Sequence, residues 1–490
     1  MRKMDVFGIL SVPDWLLILF MVLITYFIYM TRNRNFFKKL GVPVPSGSLP
    51  IFGHILIYSK KGQYITEYEW MQKYGKIIGT FEGTEPQLLV LDTDILRRIM
   101  VKDFSYFPDR RVFDGMNSEM DHSLVAIKGE HWKHVRDTLT PTFSSGKLKR
   151  MMSLITSAST CLVDNTKLKI KESENQDLKR VFGGYTMDVI ASTAFGIQVD
   201  SQSNPNDSFV INASKLFNFD FASILGMLVL FFPFAIPLFG KLGLAFTSTQ
   251  ACKFFRELVL KIMGERKVQT REYKDFLQLM LEAKKAQEES LTIDEIVGQS
   301  VLFFGAGYET TAVTLSLLAY NLARNPEKQQ KLYEEITTKL GTERPTYENI
   351  QELEYVEMCI NETLRFDRIC IKDAEINGLT IPKGTVVGIP VYAIHHCPDY
   401  WENPEEFMPE RFSREEKSKI NPLHFLPFGY GPRNCIGMRL AYAEAKVAVI
   451  DFYRNFKVSL CDETQIPPKF PAIGLLNPQN MVLKVEQRQD

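Results

Sequence analysis

Apolar residues run almost without interruption from Trp15 to Met30, and a shorter apolar stretch lies just ahead of the Pro13-Asp14 break. The run approaches the roughly 20 residues that a helix needs to cross a bilayer. Four basic residues follow it, whereas the two ahead of it are offset by Asp5, so the rest of the chain should stay on the cytoplasmic side. A cleaved signal peptide is the alternative, but no small-residue cleavage site follows. We predict a transmembrane signal anchor over residues 1–31.

The chain after the anchor is predicted to form one large domain. Residues 32–50 are basic and rich in proline, which predicts a stiff spacer before a domain covering 51–490. Ile77–Phe81 and Leu88–Leu91 flank a turn at Gly83–Pro86 and predict a hairpin. Strand character is otherwise sparse up to residue 375. The expected fold is therefore mainly α, with small β-sheets.

The longest predicted helix starts at Thr292, whose side chain forms a capping box with Glu295, and ends at Asn325-Pro326. A helix of this length spans about 48 Å and, being apolar nearly all round, should be buried. Its middle, Gly305–Thr311, contains two glycines, each costing about 1 kcal/mol relative to alanine, which suggests a function. Threonine hydroxyls bonding to the preceding helical turn are the structural alternative.

A second apolar stretch, Phe221–Phe239, contains no charged residue. A transmembrane helix is one interpretation, but Pro233 and Pro237 interrupt the stretch and no cluster of positive charge brackets it. An apolar surface of this size is typical of a membrane or ligand contact. We predict a loop over residues 217–240 that dips into the lipid and admits lipophilic substrates.

Near the C-terminus, Cys435 lies between glycines, just after Arg433 and just before a helical repeat that begins at Ile436. Most lone cysteines are buried small hydrophobic residues, which is the alternative here. A helix N-terminus favours a thiolate, however, and Arg433 provides a charge suited to a carboxylate. Gly431 and Gly437 would allow a tight turn and the close approach of a flat partner.

Composition excludes several other classes of protein. Lysine plus arginine equals aspartate plus glutamate at 58 each, so no net basic field is present to hold nucleic acid. The seven cysteines are scattered without a C-x-x-C pair, which indicates reduced thiols rather than a disulfide framework or zinc site. A dinucleotide-binding Gly-x-Gly-x-x-Gly motif is also missing from the sequence.

The pattern Phe-x-x-Gly-x-Arg-x-Cys-x-Gly from Phe428 to Gly437 resembles the haem-binding loop of the cytochrome P-450 family. The resemblance implies the cytochrome P-450 fold, with Cys435 as the axial thiolate and metal ligand of haem b. Arg433 would face a haem propionate and Phe428 would pack beside the cysteine. Trp132 and Arg136 resemble the family's propionate-binding Trp-x-x-x-Arg pair. The remaining candidate cofactor-binding residues are Arg110, Gly431, Gly437 and Ala306.

The segment Ala306–Thr311 resembles the oxygen-binding segment of the same family, where the helix opens over the haem. The resemblance implies that Thr310 hydrogen-bonds dioxygen and that Glu309 relays protons to it. Glu362, Arg365 and Arg411 match the family's Glu-x-x-Arg and Pro-Glu-Arg-Phe motifs, which form a buried structural triad. The candidate substrate-pocket residues are Phe113, Ser123 and Phe304.

The residues of these motifs resemble those of the third family of microsomal enzymes, which oxidises drugs and steroids. The resemblance implies a monooxygenase of the endoplasmic reticulum membrane that receives electrons from NADPH through cytochrome P-450 reductase, with cytochrome b5 as a possible partner. One departure is a shortened segment after Arg365, where the family has a proline-containing stretch and a propionate-binding arginine that Arg368 could replace. Two alternatives stay open: a haem-thiolate isomerase of lipid peroxides, and a catalytically impaired splice or gene-model variant.

Overall fold

The computed structural model describes most of the chain. The described residues are 3–6, 10–111, 119–204, 207–216, 226, 229, 232, 235–242, 248–268, 273, 275–286, 291–366, 370–371, 381–382, 385–473 and 476–489. Most of the predicted membrane-dipping loop, Phe113 and the segment around Arg368 lie outside them. Predictions for those residues therefore stay predictions.

Helices dominate the described residues, as the sequence predicted. In chain order they are α1 (Asp14–Thr31), α2 (Phe36–Lys39), α3 (Ile55–Lys61), α4 (Gln63–Tyr74), α5 (Thr93–Arg97), α6 (Gly129–Leu139), α7 (Ser145–Glu172), α8 (Leu178–Phe195), α9 (Ser208–Lys215), α10 (Ile236–Lys241), α11 (Thr249–Val268), α12 (Phe276–Ala286), α13 (Ile293–Arg324), α14 (Pro326–Leu340), α15 (Glu354–Phe366), α16 (Val391–His395), α17 (Arg414–Lys419) and α18 (Met438–Asn455).

The strands form small sheets. They are β1 (Lys3–Val6), β2 (Leu10–Pro13), β3 (Ile77–Glu82), β4 (Glu85–Val90), β5 (Asn175–Asp177), β6 (Cys370–Ile371), β7 (Val386–Ile389), β8 (Phe456–Ser459) and β9 (Val482–Gln487). One sheet has the order β3-β4-β7-β6 and another the order β5-β9-β8, while β1 pairs with β2. The predicted hairpin is β3-β4, and its turn is tighter than expected because Glu82 already pairs with Glu85.

Two helices are long and apolar enough to cross a membrane among the described residues, α1 and α13. They differ in burial: most of the apolar window of α13 is buried inside the protein, whereas nearly all of α1 is exposed. The exposed side chains of α1 are large and hydrophobic, which is unfavourable in water and favourable in lipid. Helix α1 therefore fits a membrane anchor, and α13 is a core helix.

Helix α13 crosses the core and packs mainly against α8. Its first turn is closed by the predicted capping box: the Glu295 backbone N–H donates to the Thr292 hydroxyl at 3.1 Å, and the Thr292 N–H donates to the Glu295 carboxylate at 2.6 Å. The helix ends at Arg324 because Pro326 follows. It runs without interruption through Gly305–Thr311, so the expected opening of the helix is not found in this structure.

The segment between anchor and domain is not a free spacer. Phe37 of α2 is fully buried and belongs to the core cluster that includes Phe81 and Val42. Its ring fills a notch over Gly79, where an added Cβ would lie 2.3 Å from it. Because Phe37 packs into the sheet, the folded domain extends toward the anchor beyond the predicted boundary at residue 51.

A buried acid in α4 makes stability depend on pH. Glu67 is buried and accepts a hydrogen bond from Gln63 Nε2 at 2.9 Å, and burial raises its pKa to about 8. An acid with a raised pKa in the folded state contributes stability at low pH that is lost as pH rises toward 8. We therefore expect Glu67→Gln to raise the urea midpoint of unfolding at pH 8.5 more than at pH 5.5. Glu69→Gln, which alters an exposed carboxylate paired with Lys61, should change both midpoints little. Equal effects of the two substitutions would contradict this account.

Candidate functional site

A cavity of about 350 Å³ lies between α13, α6 and the loop that leads into α18. Its volume is in the range of small-molecule sites. The lining brings together residues far apart in the sequence: Trp132 and Arg136 from α6, Ala306 and Thr310 from α13, and Cys435. The cavity is therefore where the separate sequence motifs meet.

Cys435 has its exposed surface toward this cavity. Its backbone N–H donates to the Phe428 carbonyl at 2.8 Å, which closes the loop, and the Phe428 ring packs against Tyr442 of α18 at 5.2 Å. Helix α18 begins at Met438, so the thiol lies next to a helix N-terminus, as predicted. Among the described free cysteines, Cys435 is the one that lines the cavity.

The two glycines of the loop that were predicted to contact a cofactor, Gly431 and Gly437, differ in their surroundings. Gly437 lines the cavity, and an added Cβ there would have 3.9 Å to its nearest neighbour, Phe143. Gly431 has φ +71°, and an added Cβ would lie 2.0 Å from the carbonyl oxygen of Met100. Gly431 does not belong to the cavity lining, and its contact with a cofactor stays a prediction. Gly431 is required because the Met100 backbone passes close to the loop.

Three arginines gather at one side of the cavity: Arg110, Arg136 and Arg433. Arg110 donates to the Arg433 carbonyl at 3.0 Å, and Arg136 donates to the Asn434 carbonyl and side-chain oxygens at 2.9 and 2.8 Å. The acceptors of these bonds are uncharged carbonyl and amide oxygens, so the bonds do not neutralise the positive charges of the arginines.

Arg433 is the most buried of the three. Burial and the neighbouring Arg110 lower its pKa to about 9, and its Nε and Nη1 have no hydrogen-bond partner among the described residues. The nearest carboxylate, the half-exposed Asp109, lies 3.6 Å from Nη2. The Trp132 ring lies 4.0 Å from the guanidinium carbon in a cation–π contact. A buried cation with free donors fits an anionic group inside the cavity.

Glu309 and Thr310 both line the cavity. The Thr310 hydroxyl donates to the Ala306 carbonyl at 2.6 Å, which is the back-bonded arrangement that the sequence left open. Its oxygen lone pairs can still accept a hydrogen bond from the cavity. Burial raises the pKa of Glu309, while Lys179 and a hydrogen bond donated by Asn477 oppose that rise.

Two of the predicted pocket residues do not line the cavity. Phe304 is fully buried on the opposite face of α13, where its ring stacks on Phe195 at 3.9 Å. Phe303 lines the cavity instead. Ser123 is buried outside the lining, whereas the next residue, Leu124, belongs to it. The third predicted residue, Phe113, lies outside the described part of the chain.

Other residues that line the cavity were not predicted from the sequence. Asn477 comes from the C-terminal segment and bonds Glu309, a contact with no local sequence signal. Glu444 of α18 is buried in the cavity wall, and burial raises its pKa well above the usual range. The signal that could have found Glu444 is an acid on the apolar face of the helix after Cys435.

The predicted triad lies beside the cavity. Glu362 and Arg365 are fully buried on α15, while Thr363 and Leu364 between them line the cavity. Arg411 Nε lies 3.4 Å from Glu362 Oε1, at ion-pair distance. The triad therefore supports the wall of the site and does not face its interior.

The sequence profile of the cytochrome P-450 family matches residues 43–485. The chain is 42% identical to cytochrome P-450 3A1 of Rattus norvegicus over 503 residues, and 41% identical to cytochrome P-450 3A5 of Homo sapiens over 500, covering 99% of each chain. It is also 41% identical to cytochrome P-450 3A6 of Oryctolagus cuniculus over 495 residues, covering 98% of each chain. Because all three alignments are longer than the 490 residues of this chain, the relatives carry residues that it lacks.

The residues around the cavity fit the cofactor of this family. A thiol exposed to the cavity can ligate iron, and buried arginines with free donors can pair with propionates. The chain belongs to the cytochrome P-450 family and is a haem-thiolate monooxygenase that uses dioxygen and, indirectly, NADPH.

Proposed function

We propose that this chain oxidises lipophilic compounds such as steroids, drugs and other xenobiotics at the surface of the endoplasmic reticulum. The observation that carries the proposal is the single cavity shared by Cys435, the three arginines and Thr310. A thiolate ligand, an anion-binding wall and a proton-handling segment are what the protein would contribute to a haem that inserts oxygen.

Cys435 would hold the haem iron, and the ring would lie against Phe428, Gly437 and Ala306. Bound in this way, the haem supplies the activation of dioxygen. The propionates would pair with Arg433 and Arg136, with Arg110 alongside. Trp132 would act through Arg433, because its ring stacks on that guanidinium.

Glu309 would deliver protons to the site. Its raised pKa lets it hold a proton at higher pH than an exposed glutamate, and Asn477 fixes its carboxyl. Thr310 donates its own hydrogen to Ala306, so it offers a lone pair to the cavity. We infer that Thr310 orients a water molecule through that lone pair, and that the water passes on the proton from Glu309.

We expect Thr310→Ala to lower reductase-supported turnover by about tenfold to a hundredfold, in the range of a lost proton-transfer group, while substrate binding changes little. Thr310→Ser, which keeps the hydroxyl, should restore most of the rate.

Wild-type turnover should fall as pH rises through the raised pKa of Glu309, because the proton is then lost. Glu309→Gln should be slower at low pH and flatter across pH. Steady-state turnover from pH 6 to 9 measures the effects of both residues. A Thr310→Ala rate equal to that of the wild type would contradict the role proposed for Thr310.

The substrate end of the cavity is apolar. Phe303, Leu302 and Ile190 line it together with Leu476, and they present hydrocarbon and aromatic surface. Such a lining favours lipophilic substrates by burial of apolar surface. Helix α1 would anchor the protein with its domain on the cytoplasmic face, where lipophilic substrates partition into the adjacent bilayer.

The electron source would be cytochrome P-450 reductase, with cytochrome b5 as an accessory donor. The test is to reconstitute the full chain with NADPH, reductase and a steroid. Oxidised steroid that forms only with reductase present supports the proposal. Rearrangement of a lipid hydroperoxide without reductase would point instead to the isomerase. A protein that purifies without haem would indicate the impaired variant.

A further inference from the structure

A second cavity, of about 400 Å³, lies immediately beyond the C-terminal end of α1. Met30 is the first buried residue of that helix and lines the cavity. The other walls come from residues 33–35, from the stretch 48–51, and from the hairpin turn at Gly83 and Thr84. If α1 spans the bilayer, this cavity lies at the depth of the lipid headgroups, because these begin where the hydrocarbon ends.

The lining of this cavity carries positive charge and no negative charge. Arg34 and Lys38 belong to the lining, which contains no aspartate or glutamate. Within the described part of the chain, no carboxylate lies at ion-pair distance from either cation. The neighbouring Arg32 differs, because its guanidinium lies 3.9 Å from the centre of the Tyr29 ring and donates to the Tyr29 carbonyl. Arg34 and Lys38 are thus available to an anionic ligand.

The apolar part of the wall is held in a defined shape. Phe52 N–H donates to the Pro50 carbonyl at 2.8 Å, and Ile51 between them has φ +70°, which is a rare γ-turn for a β-branched residue. Leu49 and Gly53 exchange two hydrogen bonds of 2.9 Å. Gly53 also packs against β3, where an added Cβ would lie 2.2 Å from the Phe81 carbonyl oxygen.

We propose that this cavity binds the headgroup of an anionic phospholipid, with its phosphate between Arg34 and Lys38 and its glycerol and upper acyl chain against Met30 and Leu49. The combination of two available cations and an apolar wall at the end of a hydrophobic helix matches an amphiphilic anion. The proposal rests on the membrane anchoring proposed above. A soluble phosphate would share the charge contacts but would leave the apolar wall uncovered.

The test uses the full chain in nanodiscs of phosphatidylcholine with a minority of phosphatidylserine, followed by mass spectrometry of the lipid that stays bound. Wild type should retain phosphatidylserine about tenfold above its share of the disc, a factor that two juxtamembrane basic residues can supply. Arg34→Gln/Lys38→Gln should lower the retained fraction to the disc composition. Arg32→Gln/Lys39→Gln removes the same charge outside the cavity lining and should leave retention unchanged. Equal loss in both double variants would overturn the proposal.

Two further experiments distinguish the effect of the cavity from the effect of charge alone, and binding of lipid from binding of free phosphate. Ser48→Phe fills the cavity without changing charge and should abolish the enrichment, so unchanged enrichment would refute the site. Inorganic phosphate in excess should not displace the bound lipid, and displacement would make phosphate the ligand. Flotation of each variant with vesicles reports on the anchor. A protein that fails to float refutes the anchoring, whereas one that floats without enrichment refutes the cavity alone.

Discussion

Replacement of Cys435 by serine is expected to abolish both the thiolate spectrum and turnover. Serine preserves the size of the side chain and the hydrogen bond from the backbone N–H of residue 435 to Phe428. A neutral hydroxyl, however, does not ligate iron as a thiolate does and cannot supply its electron density. Turnover should fall at least about a hundredfold, equivalent to about 2.7 kcal/mol in the activation barrier. The measurement is the absorption spectrum of the reduced, carbon-monoxide-bound protein together with the reconstituted rate.

Cys161 provides the matched control. It is also a free and exposed cysteine, but it lies on α7 and does not line the cavity. Cys161→Ser should keep the thiolate Soret band and the wild-type rate. If Cys435→Ser retained the band while Cys161→Ser lost it, or if both kept full turnover, the assignment of the ligand would be wrong.

The parts of this protein that could be predicted are those specified by local sequence. The bounds of α13 follow from the Thr292–Glu295 capping box and from Pro326, both within a few residues of the helix ends. The position of Cys435 beside a helix N-terminus follows from the adjacent helical repeat. In each case the signal and the structure lie in the same short stretch, so no distant contact was needed.

The features that the sequence did not predict depend on contacts between distant parts of the chain. Phe303 and Phe304 are adjacent on a helix that is apolar nearly all round, so periodicity cannot tell which faces the cavity. Gly431 is constrained by the Met100 carbonyl, which the sequence does not place near it. Residues 32–50 have the composition of a spacer, yet Phe37 packs over Gly79. Local composition does not reveal such tertiary partners.

The buried triad gives the largest expected effect on stability. Glu362 accepts hydrogen bonds from Arg365 Nε and Nη2 at 2.9 and 2.8 Å, and from the Met408 backbone N–H at 3.0 Å. Arg365 also donates to the carbonyls of His395 and Pro404, at 2.7 and 2.8 Å. The pair thus connects α15 to the chain segments that run before the cysteine loop.

Removal of one partner leaves the other charge buried without compensation. We expect Glu362→Ala to lower the free energy of unfolding by about 3–5 kcal/mol, the range measured for broken buried ion pairs. Arg365→Lys should also destabilise, because a lysine cannot reproduce the bidentate contact and the carbonyl bonds together. Haem retention should fall in both variants, since the loop that carries Cys435 follows these segments. Urea unfolding of the detergent-solubilised full chain measures the change.

The exposed Lys331–Glu410 pair next to the triad is a control that distinguishes the effect of burial on stability from the effect of charge pairing. Its two side chains are 53% and 47% exposed, and the Nζ–Oε1 distance is 2.8 Å, as short as the Arg365–Glu362 contact. Exposed pairs contribute about 0–1 kcal/mol, so Lys331→Ala should change the unfolding midpoint little. A loss in Lys331→Ala as large as in Glu362→Ala would show that pairing rather than burial sets the cost. If Glu362→Ala loses much more stability than Lys331→Ala, burial sets the cost. The charge of the remaining Arg365 then stays buried and cannot be hydrated once Glu362 is lost.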